Sequence, residues 1–379
     1  MSQPIGFNKP YFTGRELDYI RDAVAREKLS GNGFYTQQCQ KFFEDRYSFR
    51  KVLLTQSCTD ALEMSALLLD IKPGDEVILP SFTFVSTANA FALRGANLVF
   101  ADSSPNNPNL DPAEVSRLLT PRTKAVVVVH YAGVAVDLDP ILQLAAAHNV
   151  AVVEDAAQAI DSFYKGKPLG AVGHLSCFSF HETKNIISGE GGMLVVSDPG
   201  LVARAEIIWE KGTNRSAFYR GEIDRYNWID LGSSFLPSEL TSAFLWAQLE
   251  ELDQIQVKRK KVWDNYFQQL LPLAKQGCFA LSALPEYATN NAHLFYIVMN
   301  SADSRDRALD YFKAHNVQAI FHYLPLHSSP FFRTRFQGPE LVNANRYASQ
   351  LIRLPLFTEM TTEQVERVVN VLSRFCHSP

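Results

Sequence analysis

Lys184 stands in the run CFSFHETKNIISGEGG, residues 177–192, between two short apolar stretches and beside a glycine-rich loop. Lysine is among the side chains least often buried. A desolvated ammonium loses its proton easily, which is what an amine nucleophile or Schiff-base lysine needs. Taken alone, Lys184 reads as a solvated loop residue whose stem covers an apolar neighbour. Other stretches change that weighting. TQSCTD, residues 55–60, starts a helix with Ser57 as a fair N-cap, and the backbone N–H groups of Cys58 and Thr59 with the Thr59 hydroxyl make an anion site. PSFTFVS, residues 80–86, sets Phe82 and Phe84 on a strand-to-helix turn, where one ring can stack on a planar ligand or pack in the core. In VVEDAAQ, residues 152–158, side-chain alternation sends Glu154 and Asp155 to opposite sides. Asp155, followed by small residues, is expected to face a ligand and to meet a cationic atom; its alternative role is an N-cap.

The elements that must position these groups are legible as alternating patterns. A helix is expected from Gly14 to Glu27, with Leu17, Ile20, Ala23 and Val24 on one apolar face, and a second from Thr36 to Tyr47 anchored by Phe42 and Phe43. β-rich runs follow at Lys51–Thr55, Glu76–Leu79, Asn97–Ala101, Ala125–Val129 and Val150–Glu154, separated by helical patterns. Continuous apolar runs alternating with helices argue an α/β fold with a mostly parallel sheet covered on both faces. Ligands in such sheets bind beyond the carboxyl ends of the strands. The polar stretch 212–235 is longer than an ordinary connector, and its Arg215 and Arg220 suit a diphosphate or a solvated surface. A helical pattern from Ser238 to Leu270 carries the charge run Lys258-Arg259-Lys260-Lys261, read as a wet face. It leads to a smaller α/β unit with strands at His293–Met299 and Gln318–Ile320. The division is therefore 1–250 for the large unit, 251–272 for a linking helix and 273–379 for the small unit.

Composition excludes several function classes. With 379 residues, 46% hydrophobic and a formal charge of -4, the chain fills a full core and shows no electrostatic bias towards nucleic acid or anionic membrane. No signal pattern opens the sequence and no apolar run reaches spanning length, so a cytoplasmic protein without membrane insertion is expected. Five cysteines without a CxxC pair fit reduced thiols better than a disulfide framework or a zinc site. His322 and His327 in HYLPLH, five positions apart, do not share a helical face, and no metal site is expected. No GxGxxG turn follows an early strand, which disfavours a dinucleotide fold.

Phosphate cup, stacking aromatic, carboxylate with Gln158, then Ser179 and Lys184 ahead of GEGG are, in that order, the parts that hold pyridoxal 5'-phosphate. With these motifs in view, the sequence resembles the DegT/DnrJ-type nucleotide-sugar aminotransferases of fold-type I, from the FNKP opening to HYLPLH. The resemblance implies a large cofactor domain, a seven-stranded type of sheet and a small C-terminal domain. It matches Asp155 and Gln158 in EDAAQA to ring-binding residues, Lys184 to the cofactor-carrying lysine, Ser179 to a phosphate ligand and Phe84 to the stacking ring. SCTDAL stands where the family has SGTxAL, so Cys58 replaces a glycine beside Ser57 and Thr59. FLP at 235–237 stands where an asparagine commonly reaches the partner subunit, leaving Ser233, Ser234 or Ser238 as substitutes. The runs EKGTNRSAFYRGEIDRYNW and IDLGSSFLPSEL are most like members that aminate C4 of a dTDP-linked 4-keto-6-deoxyhexose with L-glutamate, releasing 2-oxoglutarate and serving lipopolysaccharide or enterobacterial common antigen synthesis. His181, Glu190, Arg215, Arg220 and His327 are the implied substrate contacts, and a homodimer or higher homo-oligomer is implied. The alternatives are an aminotransferase for another nucleotide-linked keto sugar and a non-catalytic regulator or binding module on the same fold. A dehydratase of this scaffold carries histidine in place of the lysine, and Lys184 is present.

Overall fold

The computed structural model describes residues 3–377; residues 1–2 and 378–379, the ends of the expected first and last units, lie outside the described residues. In chain order the first half runs α1 (Glu16–Ala25), α2 (Phe34–Tyr47), β1 (Val52–Thr55), α3 (Cys58–Leu68), β2 (Glu76–Pro80), α4 (Val85–Ala92), β3 (Asn97–Ala101), α5 (Pro112–Leu118), β4 (Thr123–Val129), α6 (Leu138–His148) and β5 (Ala151–Asp155). A short ribbon, β6 (Phe163–Tyr164) and β7 (Lys167–Pro168), precedes β8 (Leu175–Ser179), β9 (Gly192–Val196), α7 (Val202–Trp209) and α8 (Arg215–Tyr219). Then come α9 (Glu239–Glu250), α10 (Leu252–Ala274), β10 (Phe279–Leu281), β11 (Phe295–Met299), α11 (Ala302–Ala314), α12 (Val342–Gln350), β12 (Leu351–Leu354) and α13 (Thr362–His377).

Seven strands form one sheet in the order β1-β9-β8-β5-β4-β2-β3, and β9 alone runs against the rest. Period-two alternation builds a core on each face: Val126 and Val128 of β4 enter one, Ala125 and Val127 the other. That is why these strands are continuously apolar. Register does the positioning. Thr55 pairs with Gly192, Gly192 with Ser179, Cys177 with Asp155, and Asp155 with Val129, so β1, β8, β5 and β4 end, and β9 begins, at one edge.

The second sheet, β10-β11-β12, packs with α11 and α13 around a separate core that includes Ile5, whose backbone pairs with Val317. The N-terminal residues thus pack with the C-terminal sheet.

Several expectations need correction. Leu17 and Val24 are 69% and 53% exposed, because α1 turns Glu16 and Ala23 inward; the Glu16 carboxylate accepts from the amides of Thr13 and Gly14 and from Gln248 Nε2 of α9. The helical stretch after Ser238 breaks at Glu251 into α9 and α10. Arg259 is buried, not on a wet face, and donates to the carbonyls of Ala292 and His293. Gln318–Ile320 forms only isolated bridges, while β10 and β12 supply the strands. Cys278 and Cys376 form a disulfide, their Cα atoms 5.9 Å apart, so the reading of reduced thiols holds only for Cys39, Cys58 and Cys177. Tertiary packing joins residues 98 positions apart, which spacing in the chain does not reveal.

Glu239, at the start of α9, shows how the helices are fixed around the sheet. Its buried carboxylate accepts from the amides of Gly33, Tyr35 and Thr36 and from the Thr36 hydroxyl, capping α2 with a side chain distant in sequence.

Candidate active site

At the common edge of β1, β5, β8 and β9 lies a cavity of about 730 Å³. Ser57 leaves β1 in extended conformation and caps α3, its Oγ accepting from Asp60 N at 3.1 Å. The amides of Cys58 and Thr59 head the helix without intrahelical acceptors, as every first turn requires, and face an anion favourably. A Cβ at Gly192 would lie 2.4 Å from the Ser57 carbonyl carbon, so glycine is what lets β9 close against this turn. Thr59 Oγ1 donates to Ser86 Oγ at 2.7 Å, tying the cup to the start of α4. Phe84, the residue before α4, is 56% exposed and lines the cavity, whereas Phe82 is in the core.

The paired acids on β5 separate as alternation requires. Glu154 accepts from His130 Nε2 at 2.9 Å, from the amides of Gly170, Val172 and Gly173, and from Ser176 Oγ, on the side away from the cavity. Burial pushes its carboxyl up, but His130 and these amides outweigh that and hold it below the usual range. Asp155 lines the cavity; its Oδ2 accepts from Thr87 Oγ1 at 2.7 Å and its Oδ1 from Ala157 N at 3.2 Å. No helix follows it, so its capping contact belongs to a turn. Burial leaves the Asp155 carboxyl above its usual range despite Thr87, Ala157 and Lys184. The protein's own groups therefore do not lower it, because desolvation is the larger effect. A cationic N–H brought against it would reverse the balance. Gln158 is held by Ala132 N on Oε1 and by Tyr323 OH on Nε2.

Lys184 follows β8 in a turn, its amide bonded to His181 O at 2.9 Å, and its side chain enters the same cavity. Desolvation lowers its amine to about 8, with Arg353 adding to the effect and Cys58 and Asp155 opposing it. The amine is therefore free over much of the mildly alkaline range. Binding of pyridoxal phosphate to the cofactor-free protein is expected to accelerate with pH through a midpoint near 8, against the ordinary 10.5. Stopped-flow absorbance checks this, and a midpoint at the ordinary lysine value would contradict it.

Ser57, Cys58, Thr59, Phe84, Asp155, Gln158, Ser179, His181, Lys184 and Glu190 all line this one cavity. Arg215, Arg220 and His327 do not. Arg215 binds Tyr219 OH, Arg220 pairs with Glu206 and Glu222, and His327 Nδ1 lies 2.7 Å from Ser81 Oγ. Ser238 caps α9, and neither it nor Ser233 or Ser234 reaches the cavity of its own chain. The HYLPLH segment does reach the cavity, but through His322 and Tyr323 in place of His327; Phe7, His293 and Arg353 are lining residues not foreseen. The signal for Arg353 was present: a charged residue inside the apolar run LIRLPLF.

An anion cup on a helix N-terminus, an aromatic wall, a buried carboxylate and a low-pKa amine fit the donor set of a pyridoxal phosphate site; the fold and site together are those of an aminotransferase. The chain belongs to the DegT/DnrJ/EryC1/StrS aminotransferase family, whose profile it matches over residues 10–373. Aminotransferases of this family depend on pyridoxal phosphate. Among solved structures it resembles the aminotransferase TlmJ of Streptoalloteichus hindustanus, with 30% identity, 98% of each chain covered and a TM-score of 0.89. DesV of S. venezuelae is 27% identical over 100% of both chains, with a TM-score of 0.88. Spr1654 of Streptococcus pneumoniae, determined in a PLP form, shares the fold at 22% identity, with 98% of each chain covered and a TM-score of 0.88.

Proposed function

We propose that the protein transfers an amino group from L-glutamate to C4 of dTDP-4-dehydro-6-deoxy-D-glucose, giving dTDP-4-amino-4,6-dideoxygalactose and 2-oxoglutarate. The observation that carries amino transfer is the Lys184 amine, lowered to about 8, in one cavity with a buried Asp155. The choice of sugar rests on the likeness of residues 210–240 to transaminases of that substrate. The α10 helix carries the linking stretch, 251–272, between a cofactor domain drawn from 1–250 and a small domain, 273–379, and the segment around Ile5 packs with the latter.

Pyridoxal phosphate, when bound, supplies the carbonyl that carries the amine and a ring that takes up electrons. Ser57, the Cys58 and Thr59 amides and Ser179 would hold its phosphate, Phe84 would cover the ring, and Asp155, with Gln158 beside it, would keep the ring nitrogen protonated. Lys184 Nζ would be the amine that holds the cofactor, and its free amine would carry the proton between the donor's α-carbon and C4 of the acceptor. His181 and Glu190, at the cavity mouth, contact substrate.

The working form is a cytoplasmic homodimer or higher homo-oligomer that makes precursors of lipopolysaccharide or enterobacterial common antigen. Exposed Leu17 and Val24, seven positions apart on α1, leave an apolar stripe on that helix that a second subunit would cover. Arg215 and Arg220 are given to the diphosphate by the resemblance alone: neither lines the cavity of its own chain, and Arg220 is paired with Glu206 and Glu222.

The test is the visible spectrum of the holoenzyme. L-glutamate is expected to bleach the cofactor band and dTDP-4-keto-6-deoxyglucose to restore it, with the 4-amino sugar identified by NMR. Bleaching without recovery removes the proposed acceptor. A spectrum with no Lys184-dependent band removes amino transfer and leaves a binding module.

A further inference from the structure

His293, just before β11, is 4% exposed and lines the cavity. Its neighbours fix its tautomer. The side-chain amide of Asn185 donates to the Asn291 carbonyl and to Gln256 Oε1, each at 2.8 Å. A backbone carbonyl can only accept, so the Asn185 NH2 points there and its Oδ1 is left for His293 Nδ1, 2.9 Å away. Nδ1 therefore carries the proton and donates. Burial, with the cations Lys184, Arg353 and Arg259 and the His322 ring, pushes the imidazole well below its usual range, and no carboxylate opposes them. The ring is neutral, and its Nε2 keeps a lone pair that no protein donor meets among the described residues. Its place is rigidly set. The His293 amide donates to Asn291 Oδ1, its carbonyl accepts from Arg259 Nη2, and Asn291 Nδ2 donates to the carbonyls of Gln158 and Ile160. A buried network spanning the turn after β5, the Lys184 turn and α10 thus holds one free acceptor in the cavity wall.

The turn that orients this acceptor also selects its partner. Asn185 follows Lys184 in the chain, and after burial the Lys184 charge is the largest influence on the ring. Lys184 Nζ, for its part, has no hydrogen-bond partner among the described residues; only burial and nearby charges act on it. Its four-carbon stem is flexible and its ammonium carries three donors. An amine that must carry a proton between two carbons needs an acceptor that steadies it without taking that proton. We propose that His293 is a positioning residue for the reactive amine, its Nε2 accepting a hydrogen bond from Lys184 Nζ while that nitrogen holds the transferred proton; this rests on the aminotransferase reading above. The ammonium gives one N–H to Nε2 and delivers another proton to the acceptor carbon, so His293 itself stays neutral throughout.

The experiment compares wild type with His293→Asn, which keeps a donor for Asn185 and loses the Nε2 acceptor, and His293→Gln, whose side-chain oxygen can replace that acceptor. In cofactor-free protein the Lys184 amine is titrated by its reaction with acetic anhydride, followed by peptide mass spectrometry. An acceptor favours the ammonium, so in His293→Asn the midpoint is expected to fall by about one pH unit below wild type. His293→Gln restores it while melting lower, because Asn185 Oδ1 loses its donor. In holoenzyme His293→Asn, single-turnover rates of both half-reactions fall about 10- to 100-fold at unchanged half-saturation, with a larger isotope effect from α-deuterated L-glutamate. An unmoved Lys184 midpoint in His293→Asn overturns the assignment, as does a loss confined to half-saturation by the sugar, which would make Nε2 a hydroxyl acceptor. Nitrogen NMR of histidine-labelled wild type tests the tautomer without any variant: an unprotonated Nε2 supports the assignment and a protonated one overturns it. If wild-type enzyme transfers no amine, the functional reading fails on its own, and the midpoint and the tautomer still decide whether His293 serves Lys184.

Discussion

Replacing Lys184 by alanine is expected to abolish amino transfer, lowering turnover by on the order of 10⁴-fold, while the cofactor-free protein melts at the wild-type temperature or above it. Two consequences of one observation are being tested. The amine that the reaction needs is the group that the cavity walls desolvate, lowering it to about 8. An unfolded lysine keeps its proton to about 10.4. The folded chain therefore binds fewer protons between those values, and this group's contribution to stability rises with pH across that window. Below pH 8 the cost of the dehydrated ammonium is fully present. The alanine variant is freed of it, so its melting temperature should gain most at neutral pH. Lys184→Arg separates charge from chemistry: it keeps a cation in the cavity, cannot act as a nucleophile at accessible pH, and should lose turnover without the gain in melting temperature. Retained turnover in either variant, measured in single half-reactions, would remove Lys184 from the mechanism.

Asp155→Asn is expected to lower turnover by on the order of 10³-fold in both half-reactions, with little change in fold. Asparagine preserves the size of the side chain and, with its one oxygen towards the Ala157 amide, turns its NH2 towards the Thr87 hydroxyl, which can accept instead of donate. What it removes is negative charge at the closed end of the cavity. Burial already holds the Asp155 carboxyl above its usual range, so losing that charge relieves a desolvation cost in the cofactor-free protein. Once a protonated ring nitrogen is bound, the same charge becomes the favourable partner. Loss in both halves is the discriminating result, since a residue that touched only donor or acceptor would affect one. Turnover within about threefold of wild type would be incompatible with a charge of that importance, given the usual size of such electrostatic effects.

Much of this site follows from local sequence because the sheet does the gathering. Each of Ser57, Asp155 and Ser179 stands at or just beyond the end of a strand, and apolar alternation is a local property that reads directly from the chain. Register then brings those ends to one edge, with β9 returning Gly192 between Thr55 and Ser179. Asp155 could be separated from Glu154 by alternation alone.

The remaining features depend on distances that no local pattern carries. Arg353 reaches the cavity from the second sheet, His322 from the loop after Ile320 and Phe7 from the N-terminal segment, each more than a hundred residues from Lys184 in the chain. Arg259 reads as part of a basic surface run, yet the direction in which α10 packs buries it against the Ala292 and His293 carbonyls. Leu17 and Val24 make a plausible inward face by period, but the Glu16 contact with Gln248 turns α1 the other way. Composition counted five cysteines and could not pair two of them. The sequence by itself determined five strands of the large sheet and the reactive groups at their ends, because these are set by nearest neighbours and by which face is apolar. Only the tertiary structure decided which distant side chains close the cavity and which charges lose their water, because burial belongs to the packed molecule.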